Sequence, residues 1–352
     1  MTNISYSEQI DKSNILKLRE LTLSLPPYCR DFFRGIEQNT ASRTRIAYAY
    51  DLKVFFQFLI SSLPKIATSY QKIEEIPLEA LDLLSTSDFE EYMDYLKYRE
   101  EEDQEVFNKE KGIRRKISCL KSFFKYFYRS ERLQNNAVSK IALPKIYEKD
   151  IIRLDIDEVA MMIDEAENGD LLSQKQKDYH GKTKKRDVAL LSLMLGTGIR
   201  VSECVGLNIK DLDFNNNAMR IHRKGGKEVS LYFGDEVEEA LLAYLEERNH
   251  ILPENGHEDA LFLSLQKKRL GVRSVENLVK KYAKLISPLK KITPHKLRST
   301  YGTNLYRETG DIYLVADVLG HSDVNTTKKH YAALEDERRK EARNKVRLRE
   351  DR

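Results

Sequence analysis

The chain has 352 residues, 41% of them hydrophobic and 33% charged, a length that favours two domains of roughly 100 to 200 residues over a single core and a composition suited to a soluble globular protein with an ionic surface. No window approaches the roughly 18 consecutive apolar residues of a spanning helix, and Met1 to Arg19 lacks the apolar run of a signal peptide, so neither membrane insertion nor export is indicated and a cytoplasmic location is expected. The net charge of +4 is small but unevenly spread: Glu74 to Glu105 carries 13 acidic and 2 basic residues, net −11, whereas Phe107 to Arg132 carries 9 basic and 2 acidic, net +7.

After 25 weakly periodic residues, Leu25-Pro26-Pro27 punctuates the chain. The first convincing helix starts near Thr40 or Ser42, with Tyr48, Leu52, Phe55 and Leu59 on one stripe and Arg43, Arg45 and Lys53 elsewhere. A second helical stretch runs from about Ser87 to Arg99. In a third, Ile113, Ile117, Leu120, Phe124 and Phe127 again recur at helical spacing, which leaves Arg114, Ser118, Lys121, Lys125 and Arg129 off the stripe: one face packs and the other is cationic. Asn135 to Asp150 reads as a connector between domains.

The second half opens with a helix around Ile156 to Glu165, passes a polar insert from Glu167 to Lys185, and enters an apolar helix from Asp187 to Leu195 that Gly196 and Gly198 break. Met219 to Arg223 and Glu228 to Phe233 alternate as strands around Lys224-Gly225-Gly226-Lys227, a turn whose glycines supply positive φ. Beyond this hairpin the pattern is helical nearly to the end. Cys29, Cys119 and Cys204 are far apart, with no Cys-x-x-Cys or nearby histidine pairs, so neither a disulfide framework nor a zinc site is encoded and all three are expected as buried thiols.

Four further features bear on chemistry. Gly196-Thr197-Gly198-Ile199-Arg200-Val201-Ser202-Glu203 places an arginine just past a glycine break. His295-Lys296-Leu297-Arg298, entered through Thr293-Pro294, puts a histidine and an arginine on one helical face at i and i+3. Gly320-His321-Ser322 begins a polar segment, and Tyr331 follows His321 by ten residues. A lone loop arginine, an isolated His-x-x-Arg or one of 19 tyrosines says little alone. Together they supply what breaking a phosphodiester without metal or nucleotide requires: a nucleophile, cations over the non-bridging oxygens, and an acid for the departing oxygen.

The succession Arg200, the Lys224 hairpin, His295-x-x-Arg298, Gly320-His321 and Tyr331 resembles the catalytic domain of the tyrosine site-specific recombinases and phage integrases, and the chain from about Thr40 to Leu334 is most similar to the Xer type. Ile76-Pro77-Leu78 before an acidic helix, and the polar insert ahead of Lys185-Arg186-Asp187, resemble the single-protein Xer recombinases of Gram-positive bacteria.

The resemblance implies a mainly α fold. A helical core-binding (SAM-like) domain at 1–134 and a linker at 135–150 would precede a mixed α/β catalytic domain at 151–352, which has a small antiparallel sheet and a C-terminal tail, the two domains forming a C-shaped clamp on DNA. It implies that Arg200 and Arg298 grip the scissile phosphate and Lys224 protonates the leaving 5′ oxygen. His295 then exchanges the tyrosine proton, His321 hydrogen-bonds the phosphate, and Tyr331 becomes a 3′-phosphotyrosine, with Glu203 buttressing Arg200. Arg43, Arg45, Arg114, Arg115, Lys121 and Lys125 would lie against DNA phosphates or grooves.

The implied partners are duplex DNA with an inverted-repeat site, copies of the chain in a homotetramer on paired sites (monomer or dimer otherwise), and an accessory protein; no metal, cofactor or membrane is implied. Ser299 stands where many relatives carry histidine, and the His321–Tyr331 interval is one residue longer than in many Xer proteins. Resolution of chromosome or plasmid dimers is the implied role. A phage or mobile-element integrase or a type IB topoisomerase-like enzyme would share the chemistry, and a DNA-binding architectural protein would lack it.

Overall fold

The computed structural model describes residues 6–101, 104–146, 152–223, 228–320 and 324, and the chain divides into two compact units, Met1–Glu148 and Lys149–Arg352. Among the described residues it is mainly helical, with one two-stranded and one three-stranded antiparallel sheet. No described helix is long and apolar enough to cross a membrane.

The first unit holds α1 (Tyr6–Thr22), α2 (Cys29–Gly35), α3 (Ser42–Ser62), α4 (Pro64–Ala67), α5 (Thr86–Lys97) and α6 (Glu110–Arg129). The apolar stripe expected on α3 is its packed face: Leu52, Phe55 and Leu59 are buried, as are Phe56 and Phe58 beside them. In α6 all five expected stripe residues are buried. The core is aromatic, with Phe55 stacked on Phe89 at 5.9 Å and edge-on contacts of Phe89 with Phe124 at 5.3 Å and Phe123 with Phe127 at 5.0 Å, geometries that match negative ring faces to positive edges. Ser85 and Asp88 close a reciprocal capping box at the start of α5.

That helix ends at Lys97 rather than Arg99, because Tyr98–Glu101 (β1) turns into a hairpin with Gln104–Phe107 (β2), Tyr98 facing Phe107 and Glu100 facing Glu105. Part of the segment read as a connector packs onto this unit: Ala137, Val138 and Ile141 join its core, and the Asn135 side-chain amide donates to the Leu84 carbonyl at 2.7 Å.

The second unit begins with α7 (Ile156–Asn168), whose N-terminus carries an Asp155–Glu158 capping box and whose C-cap Gly169 is left-handed. Within the polar insert lies a helix that its composition did not announce, α8 (Gln174–His180), capped by Ser173 and Gln176. Next come α9 (Lys184–Thr197), α10 (Val201–Gly206), β3 (Leu212–Asp213), β4 (Ala218–His222), β5 (Glu228–Tyr232), α11 (Asp235–Arg248), α12 (Val272–Ile286), α13 (Pro294–Thr309) and α14 (Ile312–Leu319). The nearly all-buried α9 is central and packs against α7, α11 and α13.

The sheet order is β3-β4-β5, with Met219 opposite Leu231 and His222 opposite Glu228. Residues 224–227, the turn between β4 and β5, lie outside the described residues. Two expectations are corrected. Gly196 lies inside α9, and only Gly198, at φ 62°, ends it. Residues 249–271 are not helical: Pro253 denies a helix its hydrogen bond, Gly256 and Lys267 hold positive φ, and paired extended bridges join Asn208 to Ala260 and Leu263 to Arg269. All three cysteines are buried and free, as expected.

Candidate active site

The site is built at the carbonyl end of α14. Gly198 permits the turn between α9 and α10, since at its positive φ a Cβ would stand 2.5 Å from the Tyr301 ring and 2.9 Å from Leu319. The turn buries Ile199 and presents Arg200 as the N-cap of α10. Glu203 fixes Arg200 twice, accepting from its backbone N–H at 3.0 Å and from Nη1 at 2.8 Å, and its own side chain is only 6% exposed. The free Nη2 edge of Arg200 reaches the carbonyls of Leu319, at 3.3 Å, and Gly320, at 3.0 Å.

Arg298 arrives from α13, which starts as the sequence indicates: Thr293 at the N-cap and Pro294 in the first turn. Its buried guanidinium donates to the Gly198 carbonyl at 2.5 Å and, through a short contact, to the Leu319 carbonyl. Arg200 and Arg298, 98 residues apart in sequence, therefore share one acceptor. His295 lies one turn earlier on the same helix, exposed, and its carbonyl accepts from Ser299 Oγ at 3.1 Å.

A third cation completes the corner, and nothing in the sequence pattern singled it out. Arg223, directly after β4, donates from Nη2 to the Val318 carbonyl at 2.9 Å. The last three carbonyls of this helix end, where the macrodipole is negative and partners within the helix run out, are thus held by three guanidinium groups. With Glu203 as the carboxylate on Arg200, the named side chains carry three positive charges and one negative. Carbonyl dipoles solvate a guanidinium without cancelling its charge, so the corner can still attract an anion with bidentate geometry.

Lys224, His321 and Tyr331 lie outside the described residues. Lys224 is nevertheless bonded to Arg223 and His321 to Gly320, each with its Cα about 3.8 Å from its neighbour's, so the chain brings both to this corner. Two other tyrosines are close in sequence. Tyr301 packs its ring beside Gly198, and burial raises its phenol above the ordinary range, the wrong direction for a nucleophile; Tyr313 is 71% exposed on α14.

The six basic residues expected at DNA divide in the first unit. Arg43 and Lys125 are exposed, with no bond that fixes them described. Arg114 is exposed and donates to the Pro144 carbonyl at 3.4 Å. Arg115 is tied to Asp51, and Lys121 donates to the Ser139 and Ile141 carbonyls at 3.2 and 2.7 Å. Arg45 departs furthest from expectation: it turns inward, 7% exposed, and pairs with Glu37 at 2.5 Å, because its place on α3 faces the protein.

Comparison with known proteins adds to this geometry. The phage integrase family profile matches residues 153–338. The chain is 31% identical to the tyrosine recombinase XerC of Caldanaerobacter subterraneus subsp. tengcongensis, covering 94% of this chain and 90% of that protein. To the tyrosine recombinase XerS of Streptococcus equi subsp. zooepidemicus it is 30% identical, over 92% and 97%. In fold it is similar to the Tn1549 transposon integrase in complex with circular intermediate DNA, with TM-score 0.63 and 20% identity over 91% of this chain and 100% of that one. It is likewise similar to the XerH site-specific recombinase bound to its difH substrate, with TM-score 0.61 and 21% identity over 87% and 80%.

Proposed function

The chain belongs to the phage integrase family, and on that premise we propose that it is a Xer-type tyrosine recombinase, which cuts duplex DNA, holds the broken end as a 3′-phosphotyrosine and rejoins it to a new partner strand. The Xer reading rests on relatives that span nearly the whole chain, both named as Xer tyrosine recombinases.

The observation that carries the chemistry is the convergence of Arg200 and Arg298 on the Leu319 carbonyl. In this reading their guanidinium forks take the two non-bridging oxygens of the scissile phosphate, and Glu203 holds Arg200 at the right angle. Tyr331 Oη bonds to phosphorus as the bond to the 5′ oxygen breaks. The phenol proton passes to His295, Lys224 protonates the departing 5′ oxygen, and His321 donates to the phosphate. A 5′ hydroxyl from the partner strand then reverses the step, so the bond energy is kept and no nucleotide is spent.

The domain reading that goes with this function is a core-binding region at 1–134, a linker at 135–150 and a catalytic region at 151–352. Arg43, Arg114, Arg115, Lys121 and Lys125 contribute phosphate contacts in the first region, with Arg43 and Lys125 best placed because they are exposed. A homotetramer on paired inverted-repeat sites, working in the cytoplasm to resolve chromosome dimers, completes the proposal.

The test is a nicked suicide duplex from which the cut end cannot rejoin. Wild-type protein should accumulate a covalent DNA adduct, and Tyr331→Phe should bind the same duplex and form none. An adduct formed by Tyr331→Phe would reassign the nucleophile. A wild-type protein that binds without ever forming one would replace the enzyme with an architectural DNA-binding protein.

A further inference from the structure

We propose that Arg223 is a positioning residue: it clamps the β4–β5 hairpin onto the end of α14 and thereby sets the direction of Lys224, the residue that follows it. The proposal rests on the recombinase reading above and concerns only the step in which the 5′ oxygen leaves.

Four observations carry it. First, β4 is paired with β5 along its length as far as His222 opposite Glu228, so Arg223 is the point where the chain leaves the sheet for Lys224. Second, its guanidinium is seated on the helix end. Nη2 donates to the Val318 carbonyl at 2.9 Å, and the group lies so close over Gly320 that a Cβ there would be 2.1 Å from Nη1 and 2.4 Å from Cζ. Gly320, at φ 59°, is thus required both by its backbone conformation and by the arginine above it. Third, Val318 is followed immediately by the Leu319 and Gly320 carbonyls that hold Arg200 and Arg298. One turn of backbone is therefore the common reference for both phosphate-gripping arginines and the hairpin. Fourth, Nε of Arg223 is buried with no hydrogen-bond partner, a cost of roughly 1–3 kcal/mol that a residue serving only to stabilise the sheet would have no reason to bear.

What Arg223 can do chemically is limited. A guanidinium stays protonated at any working pH, so it does not supply the proton to the 5′ oxygen. The segment Lys224-Gly225-Gly226-Lys227 contains two glycines, and such a sequence does not by itself fix where the lysine points. A misplacement of about 1 Å at a reacting group can cost on the order of a hundredfold in rate, so an anchor one residue away has leverage.

The experiment uses the full chain and two suicide duplexes, one ordinary and one with sulfur in place of the bridging 5′ oxygen at the cut. A thiol ionises near 8.5, so a sulfur leaving group departs without a protonated partner. Arg223→Ala is expected to slow cleavage of the ordinary duplex about ten- to a hundredfold, less than the roughly 10² to 10⁴ of losing an acid outright. On the sulfur duplex it should cleave within about twofold of wild type, as Lys224→Ala should. The double variant should be no slower than Lys224→Ala alone, and Arg223→Lys, which keeps a donor for Val318, should recover part of the loss with the same sulfur pattern even if the alanine variant folds poorly.

Equal losses on the two duplexes would make Arg223 a phosphate ligand and overturn the proposal, as would no loss at all or a double variant slower than Lys224→Ala. If Lys224→Ala is not rescued by sulfur, the acid assigned to Lys224 is wrong and the proposal falls with it. If wild type attaches to neither duplex, the recombinase reading itself fails.

Discussion

Each unit of the molecule buries positive charge, and the two do it with different acceptors. In the first, Asp51, 1% exposed, sits between α3 and α6 with Arg115 bonded to one oxygen and Lys116 3.4 Å from the other. Burial raises the Asp51 carboxyl above its ordinary value against the pull of Lys116 and Arg115, and burial lowers the Lys116 ammonium against the pull of Asp51. Each ion makes the other tolerable, and little field escapes. In the second unit, Arg200, Arg223 and Arg298 crowd the end of α14 on carbonyls, which satisfy N–H groups and leave the charge in place.

The acceptor, and not the unit, makes the difference. Asp187 in α9 is buried like Asp51, with Arg186 at 2.7 Å, Lys281 at 3.2 Å and the Tyr282 hydroxyl at 3.0 Å, and it ties α9 to α12. Cations answered by carboxylates hold the protein together, and cations answered by carbonyls remain available to a phosphate.

The sharpest way to break this contrast is Asp51→Ala. It strands Lys116, 7% exposed, and should cost about 3–5 kcal/mol of stability, whereas Asp51→Leu combined with Lys116→Met should be near neutral or stabilising by about 1–4 kcal/mol. Urea unfolding of the first unit's aromatic signal measures both. A single variant as stable as wild type would mean that the pair does not act as a unit. Arg298→Ala should give the opposite signature, a cleavage loss of roughly 10² to 10³ with a stability cost of only about 1–2 kcal/mol for the carbonyls left behind. Single-turnover cleavage and urea unfolding of the same preparation separate these, and a variant that unfolds easily yet cleaves at the normal rate would place Arg298 among the structural cations.

The contrast also explains what could be read from the sequence. The stripes of α3 and α6 were legible because helical periodicity records burial residue by residue, and the chemistry of Arg200 and His295-x-x-Arg298 was legible because five separated elements agreed in order. Arg45 misled because periodicity places a side chain off one stripe without saying what lies opposite; here Glu37 does, from the preceding segment. The β1–β2 hairpin was hidden in a run of glutamates that strands ordinarily avoid. Arg223 was invisible because its meaning depends on α14 ending beside it, a contact across 95 residues.

Lys290 offers the mildest test, and it lies in the catalytic unit, where a carbonyl-bound cation would be functional. Its ammonium reaches Asp155 at 2.9 Å and Glu158 at 2.6 Å, bridging the segment before α13 to the capping box of α7. The hydrogen bond to Lys290 holds Asp155 below its usual 3.8. In Glu158 burial acts upward but is outweighed by the bonds from Lys290 and the Asp155 backbone, so it too sits below its usual 4.5. The bond to Glu158, with that to Asp155, raises Lys290 above 10.5.

Depressed carboxyls contribute stability that is complete above their unfolded values and lost as pH falls through the folded ones. A raised lysine contributes below its unfolded value and loses that contribution as pH rises through the folded one. The gap between wild type and Lys290→Ala should therefore be flat from about pH 6 to 9 and close on both flanks. Its height should stay under about 1 kcal/mol and shrink with added salt, because Asp155 is 62% exposed and water screens the pair. Cleavage of the suicide duplex should not change. If Lys290→Ala slowed cleavage while leaving stability untouched across that pH range, a carboxylate-paired cation would be acting on DNA, and the division by acceptor would lose its meaning.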